Sequence, residues 1–107
     1  MRFDALKAAL LTVGVPVSHY VAHKQTDKYI VWAEDGQAGS QCGDDGATNQ
    51  IVQGTVDYFT KAEYDENVGA IQTVMNGVVS WRLNSVQYED DTGYIHYEWV
   101  WESVHGV

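Results

Sequence analysis

Phe3, Leu6, Leu10 and Val13 recur every three or four positions, so a helix over residues 2–13 would line them along one face. Ala5, Ala8 and Ala9 add helix propensity, Gly14 supplies a C-terminal stop, and Pro16 cannot continue the helix. A stripe this short holds only when it is buried. Strand patterning follows. Residues 17–22 and 28–35 read as two strands around a turn at Gln25–Asp27. In the second, Ile30 and Trp32 face one way while Tyr29, Val31 and Ala33 face the other, which predicts a strand covered on both sides.

Residues 36–50, GQAGSQCGDDGATNQ, contain no large apolar side chain. They read as a long Gly-rich loop, and loops of that length in small domains tend to carry function. Gly36, Gln37, Gly39, Gln41, Asp44, Asp45, Thr48 and Asn49 are its candidate partner-binding residues. Residues 51–60 then alternate, with Val52, Val56 and Tyr58 on one face. Asp65 can cap a second helix, along which Val68, Ile71, Met75 and Val78 keep helical spacing. In the last quarter Asp91, Thr92 and Gly93 form a turn, and Ile95, Tyr97, Trp99 and Trp101 alternate with His96, Glu98, Val100 and Glu102, so a hairpin is predicted. The order is α-β-β-β-α-β-β. That predicts an α+β fold, a mainly antiparallel sheet with both helices packed on one face.

The 107 residues make one domain, 1–107, with a radius of gyration of about 13 Å expected at this size. Six basic against 15 acidic residues leave a net charge of −9. Such a balance disfavours binding to nucleic acid or to an anionic membrane. Four Trp and seven Tyr argue against disorder, and they exceed what one small core hides comfortably, which points to self-association. Trp99 and Trp101 are predicted to fill the core. The lone Cys42 excludes an internal disulfide and suits a reducing compartment. Asp4 and Lys7 interrupt the first apolar run, which does not resemble a secretory signal.

Candidate chemistry is sparse. His96, Glu98, Glu102 and His105 are the nearest approach to a metal set, but a solvated polar face accounts for them better. His19 and His23 read as surface imidazoles. The acidic pairs, Glu34–Asp35, Asp44–Asp45, Asp65–Glu66 and Glu89–Asp91, fall at strand ends and turns, where solvation keeps them ionised. Asp44–Gly46 lacks the ligand alternation of a calcium loop. No catalytic residue, cofactor or metal is expected.

Four stretches together resemble the tail terminator, or tail completion, proteins of long-tailed phages and prophages. They are MRFDALKAALLTVGVPV at the start, YIVWAEDG over 29–36, VDYFTKAEYDENV over 56–68 and WRLNSVQYEDDTGYIHYEWVWE over 81–102. The resemblance spans most of the chain. It implies a non-enzymatic virion subunit that caps the tail tube as a hexameric ring. Its implied partners are further copies of itself, the tail tube protein and the neck or head-completion protein. DNA would pass through the ring unbound, and no membrane is involved. The place implied is the tail or neck of the virion, reached from the host cytoplasm. Related proteins carry a flexible segment where residues 36–50 lie. The alternatives are a head–tail adaptor or stopper of the neck, and a small acidic protein that mimics DNA.

Overall fold

The computed structural model describes residues 4–22, 25–43 and 46–103, and across residues 37–43 and 46–50 it describes the backbone alone. The elements are α1 (Asp4–Leu11), β1 (Val17–His19), β2 (Lys28–Gly43), β3 (Gly46–Thr60), α2 (Asn67–Met75), β4 (Ser80–Tyr88) and β5 (Ile95–Ser103). This is the α+β order expected. The five strands form one sheet in the order β1-β2-β3-β5-β4. β1 runs parallel to β2, and every other pair is antiparallel.

The helical stripe behaves as its spacing predicts. Leu6 and Leu10 are buried, and Val13 packs against the core after the helix tightens into bonds from Thr12 and Val13 N–H to the Ala9 and Leu10 carbonyls. Gly14 then takes φ +95°, a left-handed conformation suited to glycine at a helix end. Phe3 lies outside the described residues. β1 is shorter than the predicted strand because Tyr20 turns to φ +70° and ends it.

Both helices lie on one face of the sheet, over Ile30, Trp32, Val56, Tyr58, Trp99 and Trp101. Two indole N–H groups tie α2 down: Trp99 donates to Gln72 Oε1 at 3.1 Å and Trp81 to Asn76 Oδ1 at 2.9 Å. Gly54 of β3 makes room for Trp101. A Cβ there would overlap both the indole and the Ala33 carbonyl.

Two expectations need correction. β2 is not covered on both faces. Tyr29 is buried by its neighbours Phe59 and Tyr94, but Val31 and Ala33 are only half-buried on a face that carries no helix. Residues 36–43 and 46–50 are not a loop either. β2 and β3 continue through them as an antiparallel ladder that reaches Gly43 opposite Gly46. Backbone hydrogen bonds alone can build such a ladder, so it needs no apolar side chains.

Candidate functional site

The ladder forms an arm that outruns the rest of the sheet. Among the described residues, β5 accompanies β3 as far as Ser103 opposite Val52, and beyond that point β2 and β3 pair with each other. The molecule accordingly measures 51 × 25 × 23 Å. Gly36 sits opposite Gln53, Gln37 opposite Val52, Gly39 opposite Ile51, and Gln41 opposite Asn49. Register shifts occur between Glu34 and Gly36, Gln37 and Gly39, and Gln41 and Cys42; the last leaves Thr48 without an opposite residue. Extra residues of this kind bend a ribbon and increase its twist. Of the eight residues singled out from sequence, Gly39, Gln41, Thr48 and Asn49 lie on this arm, Gly36 and Gln37 lie at its base opposite Gln53 and Val52, and Asp44 and Asp45 lie outside the described residues.

The open face of the sheet carries the second feature. Tyr20, Val21, Tyr29, Val31, Phe59 and His96 help to line a cleft of about 430 Å³. His96 is not a solvated imidazole. It stacks on Phe59 with ring centres 4.2 Å apart, its Nε2–H donates to Asp57 Oδ1 at 2.7 Å, and Nδ1 lies 3.7 Å from Glu89 Oε2. The Asp57 hydrogen bond raises the His96 pKa above the usual imidazole range, against the opposing effect of burial. His105, its expected neighbour, is outside the described residues, as is His23. No group of three His, Cys, Asp or Glu among the described residues is placed to hold a metal ion.

His19 is also more engaged than a free surface residue. Its ring is stacked between Tyr20 and Trp32, at 4.2 and 4.0 Å, and Nε2 lies 2.5 Å from Glu34 Oε1.

Asp65 departs furthest from the solvated reading. It is buried, and its Oδ2 accepts hydrogen bonds from the Tyr58 and Thr60 hydroxyls, both at 2.7 Å. Oδ1 accepts the Asn67 N–H at 2.8 Å, and Lys28 Nζ stands 3.4 Å from Oδ2. Burial alone would push the carboxyl pKa up, but these donors reverse that and hold it below the ordinary value. The neighbouring Tyr58 hydroxyl, buried and beside a carboxylate, is pushed up to about 12. Asp65 thus stands one residue ahead of the expected cap position, which Glu66 occupies without a side-chain cap hydrogen bond, and through the Asn67 N–H its carboxylate joins the end of β3 to the start of α2.

No protein-family model matches the chain, and no curated protein does either. On the open face His96 is engaged with Asp57 and Glu89, and ahead of α2 Asp65 is engaged with Tyr58, Thr60 and Lys28. Sequence reading missed the His96–Asp57 pair because their meeting depends on the register between β3 and β5. An Asp and a His, each on the polar side of an alternating strand, were the available signal.

Proposed function

We propose that this chain is a non-enzymatic subunit of a phage tail, one that caps the tail tube as a ring and offers a joining surface to the head or neck. The observation that carries the reading is the β2–β3 arm, which among the described residues extends past every other strand. A lone two-stranded ribbon has little independent stability in water, and its unpaired edges invite a further strand. An arm of this kind suits docking onto a neighbouring subunit or onto the tube. The α-β-β-β-α-β-β order agrees with what the sequence resemblance implies, and the ring of six rests on that resemblance.

The charge fits the same role. A net charge of −9 per copy suits a channel that lets DNA travel without holding it. The DNA-mimic alternative draws less support, since Asp57, Glu34 and Asp65 direct their charge to His96, His19 and Lys28.

Sedimentation of the purified chain over a concentration series tests the reading. A discrete species of six copies is expected. A monomer at every concentration that also fails to bind tail tubes overturns it.

A further inference from the structure

Tyr64 is 96% exposed and holds φ +54°, a left-handed conformation that strains a residue with a Cβ. The turn around it is pinned on both sides. The Ala62 N–H donates to Thr60 Oγ1 at 3.1 Å, while the next residue, Asp65, is buried, accepting the Tyr58 and Thr60 hydroxyls and the Asn67 N–H. The chain must reverse between these anchors, and glycine or asparagine would do so at lower cost. A tyrosine here strains the backbone and contributes almost no burial to the fold. Backbone strain that the surroundings hold in place concentrates at functional sites, and tyrosine is among the side chains that dominate protein–protein contacts.

Tyr64 lies at the end of the molecule away from the arm. β2 alone runs most of the 51 Å length, from Lys28 at one end to Gly43 in the arm. Lys28 pairs with Thr60, Thr60 with Ile95, and Ile95 with Tyr88, so the turn after β3 and the turn between β4 and β5 share the end opposite the arm. Tyr88 is 65% exposed there. Asp27, Glu63, Glu66, Asp90 and Asp91 are exposed at the same end. Its two lysines are committed: Lys28 Nζ stands 3.4 Å from Asp65, and Lys61 Nζ lies 4.0 Å from Asp27.

We propose that this end, anchored on Tyr64, is the surface that meets the neck protein of the head, and that it takes a protein surface presenting Arg or Lys. This rests on the tail reading and assigns its two ends, the arm to the tube and Tyr64 to the neck. An arginine or lysine head packs over the face of an exposed tyrosine while a neighbouring carboxylate takes its charge. The chain holds an instance of the first contact, with Lys61 Nζ 5.0 Å from the centre of the Tyr94 ring. A second copy suits this end poorly, because every copy is strongly acidic and has only six Lys and Arg to offer. Nucleic acid is repelled by the same carboxylates.

Joining of capped tails to heads tests this. Tail tubes are capped with the native chain or a variant and mixed with heads that carry the neck protein. Tyr64→Gly should unfold in urea at or above the native midpoint and cap tubes as the native chain does, yet slow joining about tenfold or more. Glu63→Lys should slow it likewise, whereas Tyr64→Phe, which keeps the ring, should join at close to the native rate. A Tyr64→Gly midpoint below the native one shows that the ring supports the fold and overturns the proposal, as does joining at the native rate. Loss of tube capping by Tyr64→Gly reverses the two ends and overturns it. Loss of the sedimenting oligomer gives Tyr64 to a contact between copies, which also overturns it. A native chain that caps no tubes removes the tail reading and this inference together, whereas native capping with an indifferent Tyr64 removes the inference alone.

Discussion

The Tyr58 hydroxyl donates to Asp65 Oδ2 at 2.7 Å, a bond from the middle of the sheet to the residue two positions ahead of α2. Thr60 donates to the same oxygen. Removing the carboxylate leaves two buried hydroxyls without their acceptor. Asp65→Ala should cost about 3 kcal/mol, as loss of a buried hydrogen-bonded charge does. Urea denaturation at neutral pH measures it.

The same pair sets two pH limits on stability. The folded pKa of Asp65 is depressed, so its contribution is complete above the unfolded value of about 4 and is lost as pH falls through the lower folded value. The folded pKa of Tyr58 is raised to about 12, so its contribution is complete below about 10 and is lost as pH climbs toward 12. Denaturant midpoints of the native chain should fall at both ends, and Tyr58→Phe should remove most of the alkaline loss.

His96 should titrate above the usual imidazole range, because Asp57 favours the charged ring. Its contribution to stability is therefore present below the unfolded value of about 6.5 and is lost as pH rises through the higher folded value. Proton NMR of the imidazole should show the raised titration, and Asp57→Asn should bring it down.

Gly54→Ala should destabilise the chain by about 1–3 kcal/mol or more, the usual cost of overpacking, because the new methyl meets the Ala33 carbonyl and the Trp101 indole. Thermal unfolding followed by tryptophan fluorescence reads the loss.

Leu10→Ala should cost about 2–5 kcal/mol and Trp99→Ala about 3–5 kcal/mol, since both side chains are fully buried between the helices and the sheet. Chemical denaturation decides it. A Trp99→Ala chain of unchanged stability would contradict the packing described.

Replacing residues 38–49 with a two-residue turn should leave the core intact, because Ile30, Trp32, Val56 and Tyr58 lie on the other side of the β5 limit at Val52. Circular dichroism should report an unchanged fold while attachment to tail tubes is lost.

Where side chains carry the pattern, the elements were legible from sequence. Leu6 and Leu10, Ile71 and Met75, and Trp99 and Trp101 are buried as their spacing predicts. The arm was not legible, because its ladder is a backbone structure and its residues bear none of the apolar alternation by which strands are recognised. The cap at Asp65 was half legible. An Asp ahead of an apolar helical run marks the helix start, but its burial depends on Tyr58 and Thr60 arriving from β3.

β3 has a further consequence, for how the chain reaches this state. On one side it pairs with its sequence neighbour β2, while β4 and β5 form a second hairpin of their own. Only the β3–β5 seam, with Val56 opposite Trp99 and Tyr58 opposite Tyr97, joins the two hairpins across the sheet. Each hairpin needs closure of a short loop, on a microsecond timescale, whereas the seam must bring distant segments together and bear the larger entropy loss. The slow step of folding is then the docking of two preformed ribbons, with α2 as the linker that sets how readily they collide. Substitutions along the seam would slow folding, while those in the arm would leave the rate untouched.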